Sequence, residues 1–173
     1  DCGDELVLLD ALASDACGLA IVTVEESYDY TCDNGYVLTR TFTALDACFN
    51  ETVGVQTITV TDTTAPEFTS VPEDYSAECS DELTMEMATA TDDCGEVTIA
   101  VDTETIDGDC ANTYTLVRTF TATDGCGNST TATQTIEVSD TTAPEFTFVP
   151  ADELIECNIS LDGAMATAVD NCG

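Results

Sequence analysis

The spacing of ten cysteines most constrains what this chain can fold into. They form two sets of four and a final pair, and the position numbers of corresponding cysteines in successive sets differ by 77 or 78. The phrase TDTTAPEF at 61–68 returns as SDTTAPEF at 139–146, and the two basic residues, Arg40 and Arg118, are related by the same offset. Self-similarity at a fixed period indicates tandem repeats. The cysteines are Cys2, Cys17, Cys32, Cys48, Cys79, Cys94, Cys110, Cys126, Cys157 and Cys172.

The phase of this repeat divides the chain into three parts. Residues 62–139 form a complete second repeat, residues 1–61 form a first repeat that lacks its opening strand, and residues 140–173 form the opening part of a third repeat. The sequence shows no initiator Met, signal peptide or apolar membrane-spanning run. We therefore expect the chain to be a segment of a longer protein.

Composition limits the classes of function. The chain has 35 acidic and 2 basic residues, a formal net charge of −33, and no His. Nucleic acids and anionic membranes are therefore poor partners, and no enzyme is expected because the usual catalytic bases are missing. The cysteines lack the CxxC spacing and the histidines of a zinc site. They predict disulfide bonds and a secreted or cell-surface protein.

Alternation of polar and apolar residues predicts β-strands throughout the chain. Segments rich in Thr, Val and Ile, such as YTLVRTFTAT and TATQTIEV, are separated by Gly, Asp, Asn and Pro. Segment 4–18 could form a short helix, but its counterpart in the second repeat has Thr at alternate positions, which favours strand. Each repeat is thus predicted to be a small all-β sandwich. The expected strands of the second repeat are 66–71, 75–79, 85–91, 96–104, 113–123 and 130–138.

Two motifs carry a resemblance to a known family. TTAP precedes an apolar strand, and TATDGCGN at 121–128 precedes the last strand of the second repeat. The chain resembles the hyalin-repeat (HYR) domain over essentially its whole length, and most of all the HYR-like tandem repeats of very large bacterial surface proteins. The resemblance implies extracellular tandem repeats, each an immunoglobulin-like β-sandwich, used in adhesion or as a spacer. Many hyalin repeats have a cysteine before the Pro of the opening strand and another in the last strand, and this chain lacks both.

Four cysteines per repeat allow three pairings. If successive strands run between opposite ends of the sandwich, Cys79 and Cys110 share one end, and Cys94 and Cys126 share the other. The strand between Cys110 and Cys126 separates them well beyond the ~7 Å Cα limit for a bridge. An alternative, Cys79–Cys126 with Cys94–Cys110, needs an extra strand in 105–109. The favoured prediction is Cys79–Cys110, Cys94–Cys126, Cys2–Cys32 and Cys17–Cys48, with Cys157 and Cys172 bridged to partners outside this chain.

An arginine occupies the middle of an apolar strand face in both of the first two repeats. Leu116, Arg118 and Phe120 share one face of their strand, and Arg40 has the matching place. The side chain could snorkel to the rim. Because acids greatly outnumber bases, we favour a partly buried guanidinium paired with a carboxylate. Arg40 and Arg118 are therefore predicted to form buried ion pairs with unidentified partners.

Oxygen-bearing side chains are expected to converge at one end of the second repeat. Such a set suits Ca²⁺, and no organic cofactor is expected. Asp and Asn before Gly are also ordinary turn formers, so the same residues have a purely structural interpretation. The candidate ligands are Asp62, Asp92, Asp93, Asp124 and Asn128, matched by Asp15, Asp46 and Asn50 in the first repeat and by Asp140, Asp170 and Asn171 in the third.

Sequence motifs also mark candidate glycosylation sites. Asn50, Asn128 and Asn158 begin N-glycosylation sequons, and the first two are matched positions. The DTT segments add Thr63 and Thr141, because they resemble an Asp-Ser/Thr-small motif that some bacteria O-glycosylate. A Thr-rich sequence also produces sequons by chance.

Two functions fit these observations. The favoured one is a structural repeat of an extracellular bacterial adhesin, stalk or filament, whose partners are neighbouring copies of the same repeat. The alternative is a calcium-dependent module that binds surface glycans or a protein, for which Tyr28 and Tyr30, without counterparts in the second repeat, are candidates. No membrane insertion is expected in this segment.

Assembly should follow from the repeat phase. The first repeat lacks an opening strand, and the third supplies one, Ala143–Glu156, without a partner in the chain. We expect a linear or helical string of sandwiches, in one polypeptide or through strand donation. Each repeat should advance it by roughly 35–45 Å.

Overall fold

The computed structural model describes residues 7–16, 18–157 and 163–173. Every regular element in these ranges is a β-strand, as the alternating pattern predicts. Residues 7–16, which belong to the segment that could have formed a short helix, contain neither helix nor strand. The strands are β1 (Ile21–Cys32), β2 (Gly35–Leu45), β3 (Glu51–Val60), β4 (Glu67–Ser70), β5 (Tyr75–Glu78), β6 (Thr89–Thr91), β7 (Thr98–Asp107), β8 (Tyr114–Thr123), β9 (Ser129–Ser139), β10 (Glu145–Phe148) and β11 (Thr167–Val169).

The strands expected in the second repeat correspond to β4 through β9, with one clear difference in length. The segment 85–91 forms a strand only over β6. Met85 and Met87 are 50% and 52% exposed, whereas Ala88 is buried. The methionines therefore bury little apolar surface, and the strand is confined to the residues that follow Ala88.

The chain folds as two compact units. Unit 1 comprises Asp1–Ser70, Ala88–Ala100 and Phe120–Ala132, and unit 2 comprises Val71–Met87, Val101–Thr119 and Thr133–Gly173. Strands β7, β8 and β9 contribute residues to both units. Each unit therefore combines segments from two successive sequence repeats.

A three-stranded antiparallel sheet of order β1-β2-β3 is the main element of unit 1. Asp33 and Asn34 join β1 to β2, and Asn34 has a φ of 54°. The Asn-Gly sequence suits this tight hairpin because Asn tolerates a positive φ. Gly35 is required for space, since a Cβ there would lie 2.6 Å from Cys32 Sγ. The same unit contains the β4-β6 pair.

Strand β5 pairs in parallel with β9 in unit 2, with Tyr75 opposite Ile136. The order of this four-stranded sheet is β5-β9-β8-β7. Leu116, Ile136 and Val138 form the buried apolar cluster, and Tyr75 and Tyr114 are among the partly buried residues that cover it. The short antiparallel pair β10-β11 also belongs to this unit.

Alternation along β8 places a row of side chains in the interior. Leu116, Phe120 and Ala122 are buried, and Arg118 is only 3% exposed in the same row. Successive residues of a strand point to opposite faces, so the row follows directly from the sequence period. The interior position of Arg118 needs polar partners, which are described below.

Candidate junction between sequence repeats

Two disulfide bonds join successive sequence repeats. Cys32 of the first repeat is bonded to Cys126 of the second, with a Cα–Cα distance of 5.0 Å, inside unit 1. Cys79 of the second repeat is bonded to Cys172 of the third, at 5.6 Å, inside unit 2. Both distances fall in the usual range for disulfides. The bridges therefore connect one repeat to the next.

This connectivity corrects the predicted pairings. Because Cys32 and Cys126 bond to each other, Cys2–Cys32 and Cys94–Cys126 are both wrong, and so is the alternative Cys79–Cys126. Cys79–Cys110 is wrong because Cys79 bonds to Cys172. The same bond shows that the predicted pairing of Cys172 with a partner outside this chain is also wrong. Cys17–Cys48 and Cys94–Cys110 fail because Cys48 and Cys110 are exposed free thiols.

The error has a physical cause. The prediction assumed that each bridge closes within one repeat, whereas cysteines of adjoining repeats come within bonding distance. Cys94 is disulfide-bonded, while Cys2 and Cys17 lie outside the described residues. An outside partner for Cys157 stays a prediction.

An asparagine beside each bridge holds the following repeat by a hydrogen bond. Asn34 Nδ2 donates to the carbonyl oxygen of Cys94 at 2.5 Å. The matching Asn112 donates to the carbonyl oxygen of Cys172. Both asparagines have positive φ, 54° and 59°, a conformation that Asn adopts more readily than most residues. The same contact therefore recurs at the matching position of the next repeat.

The cysteine-bearing turn at residues 124–128 is organised by one carboxylate. Asp124 Oδ1 accepts hydrogen bonds from the backbone N–H groups of Cys126 and Asn128, both at 2.9 Å. Asp124 Oδ2 accepts one from Asn128 Nδ2, also at 2.9 Å. Burial raises the pKa of Asp124, but the hydrogen bonds from Asn128, Cys126 and Gly127 outweigh it, so the pKa is lowered overall. The turn thus presents Cys126 in a defined position.

The first repeat contains the same turn at residues 46–50. Asp46 Oδ1 accepts from the N–H groups of Cys48 and Asn50 at 2.8 Å, and Asp46 Oδ2 accepts from Asn50 Nδ2 at 2.7 Å. These hydrogen bonds, led by that of the Asn50 side chain, lower the pKa of Asp46. Phe49 has a φ of 67° where the second repeat has Gly127, at 91°. Cys48 is therefore presented like Cys126.

The predicted calcium ligands are brought together only in part. One carboxylate oxygen of Asp62, one of Asp92 and the Sγ atom of Cys94 all lie within 4.8 Å of one another. The matching residues Asp140, Asp170 and Cys172 form a second cluster of the same kind. The sulfurs of Cys94 and Cys172 belong to disulfides and are not thiolate ligands. Each cluster therefore offers two carboxylates for a cation.

The other predicted ligands have different surroundings. Asp124 and Asn128 are bonded to each other, and Asn128 Nδ2 also donates to the Asp62 carbonyl oxygen at 3.2 Å. Asp93 has an exposed side chain. Asp62 and Asp92 each accept a backbone N–H, from Thr64 at 3.0 Å and from Cys94 at 2.7 Å. The turn-forming interpretation therefore accounts for much of this set.

Both arginines are 3% exposed and donate to matching neutral oxygens, since Arg40 Nη1 also donates to Gln56 Oε1 at 3.4 Å and Gln56 is the counterpart of Gln134. Arg40 Nε lies 2.9 Å from Glu26 Oε1, Arg40 Nη2 lies 3.8 Å from Asp10 Oδ1, and Arg40 Nη1 donates to the Leu9 carbonyl at 2.8 Å. The carboxylate of Glu26 is therefore a direct partner of Arg40.

In the matching position, Arg118 Nη1 donates to the Glu86 carbonyl at 2.8 Å and to Gln134 Oε1 at 2.7 Å. Gln134 is itself buried and donates to the Glu73 carbonyl at 2.8 Å. Neutral amide and carbonyl oxygens thus solvate the Arg118 guanidinium. The sequence prediction missed this partner, although a Gln recurs at matching positions of the strand that follows each arginine, Gln56 and Gln134.

The candidate glycosylation residues are unequally available. Asn50 and Thr63 are exposed, and Asn158 lies outside the described residues. Both amide hydrogens of Asn128 have acceptors, on Asp124 and Asp62. The Thr141 hydroxyl contacts a carboxylate oxygen of Glu78, whose pKa is lowered by the hydrogen bonds from Thr141. A glycan on Asn128 would break the turn contacts, whereas Asn50 and Thr63 are open to modification.

In comparisons with known proteins, no family model matches this chain and no curated protein is significantly similar to it. No helix within the described ranges has the length and apolar character needed to cross a membrane.

Proposed function

We propose that this chain is a structural segment of an extracellular adhesin, stalk or filament, built from tandem immunoglobulin-like repeats that are covalently connected to their neighbours. The observation that carries the proposal is the pair of disulfides, each of which joins successive sequence repeats. A disulfide framework of this density is typical of oxidising, extracellular surroundings. The resemblance of the sequence motifs to hyalin repeats supports the same location and architecture.

Bridges between repeats suit a chain under tension better than bridges within repeats. The Cys32–Cys126 bond has a sequence separation of 94, and closing a loop of that length restricts the unfolded chain by about 4–5 kcal/mol in the chain-entropy model. A pulling force that opened one repeat would still be carried across its junction by the covalent bond. The recurring Asn34 and Asn112 contacts hold the same junctions non-covalently.

The excess of acidic residues is consistent with this role. A charge of −33 on 173 residues favours solvated surfaces and opposes non-specific collapse or aggregation of neighbouring chains. Successive repeats must therefore be joined by specific contacts, and the bridges provide them.

Immunogold labelling of intact producing cells tests the proposal. Antibodies raised against the folded chain should label the outer surface or material extending from it, without permeabilisation. Cysteine alkylation before cell lysis should leave Cys32, Cys126, Cys79 and Cys172 unmodified because they are bridged. Label confined to permeabilised cells, or alkylation of all four cysteines, would contradict an extracellular structural role.

A second candidate function, recognition of a glycan or protein, is favoured by one surface feature. Tyr28, Tyr30 and Tyr36 form an aromatic cluster in unit 1, with ring centroids 5.5–6.4 Å apart. Tyr28 and Tyr30 are 47% and 73% exposed. Desolvation and the neighbouring carboxylate of Glu26 raise the pKa of Tyr28 above its ordinary value. Aromatic rings with a polar tip are common contact residues.

A glycan array probed with the wild-type chain and with Tyr30→Ala tests this second candidate. Binding by the wild-type chain that Tyr30→Ala abolishes would support glycan recognition. An array without signal for either protein would reject glycan recognition and leave the structural role as the remaining proposal.

A further inference from the structure

We propose that Cys2 and Cys94 form a second disulfide between the first and second repeats, so that tension along the chain crosses the second repeat through residues 79–94 alone. The inference deepens the proposed structural function and rests on it. Cys94 is disulfide-bonded and only 5% exposed. The described residues of the two junctions identify Cys2, which lies outside the described ranges, as its partner.

The partner of Cys94 is either Cys2 or Cys17. Five cysteines in the described ranges are disulfide-bonded, and four of them form the two bridges between repeats described above. The fifth is Cys94, so it bonds to a cysteine outside those ranges. The sequence has two cysteines there, Cys2 and Cys17.

The position of Asp15 in unit 1 excludes Cys17. Asp15 and Asp46 line one cleft, and Asp46 directly follows β2. Asn34, whose side chain contacts the Cys94 carbonyl oxygen at 2.5 Å, directly precedes β2. The 11 residues of β2 separate these ends by about 34 Å, whereas Cys17 lies no more than about 7 Å from Asp15 along the chain. Cys17 is therefore far beyond the ~7 Å Cα limit for a bond to Cys94.

The matching junction contains the corresponding bond. Cys172 is the second cysteine of its set, and it bonds to Cys79, the first cysteine of the preceding set. Cys94 is also a second cysteine, and the first cysteine of the set before it is Cys2. The sequence separation is 93 for Cys79–Cys172 and 92 for Cys2–Cys94. The repeat therefore assigns Cys94 to Cys2.

The described surroundings of Cys94 repeat those of Cys172. Each carbonyl oxygen accepts a hydrogen bond from the matching asparagine of the preceding repeat. The backbone N–H of Cys94 donates to Asp92 Oδ1 at 2.7 Å, and that of Cys172 donates to Asp170 Oδ1 at 2.8 Å. Both cysteines are buried. The two junctions thus share the contacts that orient the bonded cysteine.

The segment that precedes Leu9 has the reach that the bond requires. Arg40 Nη1 donates to the Leu9 carbonyl oxygen at 2.8 Å, the counterpart of the contact between Arg118 and Glu86. Cys2 precedes Leu9 by seven residues, the same number that separates the first cysteine of the second repeat from Glu86. Seven residues extend to about 25 Å, whereas the part of β2 before Arg40 spans about 17 Å. Cys2 can therefore reach the end of β2 at which the two repeats meet.

The resulting bonds shorten the covalent path through the chain. A pulling force crosses from Cys2 to Cys94, follows the backbone to Cys79 and crosses to Cys172. The path through the second repeat is residues 79–94, which are 16 of its 78 residues. The backbone of residues 3–78 and 95–171 carries no tension, even when every strand has separated.

This path limits how far the second repeat can lengthen. Sixteen residues extend to about 55 Å, whereas 78 residues extend to about 270 Å. The bridges therefore reduce the maximal extension about fivefold. A segment with this property transmits force across a stalk or filament with little change in length.

Formation of the bond is a two-electron oxidation. The thiols of Cys2 and Cys94 lose two protons and two electrons as the sulfur–sulfur bond forms. A small-molecule disulfide such as oxidised glutathione accepts them by thiol–disulfide exchange and leaves as two molecules of reduced glutathione.

Non-reducing peptide mapping tests the pairing. Free thiols are alkylated, and the oxidised chain is digested with a protease that cleaves at acidic residues. Cys2 should be recovered linked to Cys94, and Cys17 should be recovered in no peptide with Cys94. A Cys17–Cys94 peptide, or an alkylated Cys94, would overturn the proposal.

Single-molecule pulling on the oxidised chain, held by peptide tags at its two ends, tests the path. The wild-type path comprises residues 1–2, 79–94 and 172–173, which extend to about 70 Å. In Cys2→Ser the shortest path runs through Cys32–Cys126 and contains about 80 residues, which extend to about 280 Å. Cys17→Ser is the matched control and should extend like the wild type.

Two results of the pulling experiment would refute the proposed path. A wild-type chain that extends as far as Cys2→Ser has no bond at Cys2, and a wild-type extension of about 120 Å identifies Cys17 as the partner. Full extension is measured after all strands have separated, so it reports the covalent path even if Cys2→Ser is less stable. Peptide mapping of Cys2→Ser should still recover Cys32–Cys126 and Cys79–Cys172, which is the control for correct oxidation.

These tests are independent of the test of the proposed function. Surface labelling on cells together with a Cys17–Cys94 bond would retain the structural role and reject the proposed path. A Cys2–Cys94 bond together with label confined to permeabilised cells would retain the bond and reject the extracellular role.

Discussion

Replacing Arg118 with methionine removes a buried cation from the interior of unit 2. The Arg118 side chain is 3% exposed, and it donates hydrogen bonds to the Glu86 carbonyl and to Gln134 Oε1. Methionine is similar in length and apolar, so it fills much of the volume without replacing either hydrogen bond. The change therefore isolates the polar role of the guanidinium.

The expected loss follows from these contacts. Hydrogen bonds that involve a charged group contribute roughly 1.5–3 kcal/mol each, and Gln134 Oε1 would lose a partner at a site only 2% exposed. Less desolvation of the charge offsets part of this loss, which leaves roughly 2–4 kcal/mol. For a chain of this size the melting temperature should fall by roughly 4–16 °C.

Urea unfolding of the oxidised protein, followed by far-ultraviolet circular dichroism, measures this change. Thr105→Met, which places methionine on an exposed position of β7, is the control and should change the midpoint little. Arg118→Met/Gln134→Leu should recover about 1–2 kcal/mol relative to Arg118→Met, because the orphaned acceptor is removed as well. An unchanged midpoint for Arg118→Met would refute the reasoning.

Three further results are expected. Cys32→Ser/Cys126→Ser should lower the free energy of unfolding by about 3–5 kcal/mol in the oxidised protein, and equal stability in wild type and variant would show that the bridge does not restrict the unfolded chain. The pKa of Asp124 is lowered in the folded state, so its contribution to stability is fully present above the unfolded pKa of about 4 and is lost as the pH falls through the lower folded pKa. Asp124→Asn should therefore destabilise the protein at pH 7, and the difference from wild type should shrink as the pH falls below about 4. A difference independent of pH would contradict this. Calcium should raise the melting temperature and EDTA should reverse the rise, because a cation relieves the repulsion between paired carboxylates; a response that persists in Asp62→Asn/Asp140→Asn would place the ion elsewhere.

The strand pattern and the interior face of β8 could be predicted from the sequence alone. Residues two apart in a strand share a face whatever the rest of the fold does, so the period places Leu116, Arg118 and Phe120 in one row. The need of Arg118 for a polar partner follows equally from its place in that row. The identity of the partner does not, because Gln134 lies on another strand and the sequence does not define how strands pair.

The sequence alone also predicted which cysteines occupy matching positions in successive repeats, but it did not predict which cysteines bond to each other. The constant offset between repeats shows that Cys32 matches Cys110 and that Cys126 matches Cys48. It does not show which cysteines approach within bonding distance, because that depends on how the ends of successive repeats meet in three dimensions. The sequence by itself determined the strands, the repeat and the matched positions. Only the tertiary structure decided that the bridges run from one repeat to the next, since a disulfide is selected by the distance and direction between two Cβ atoms.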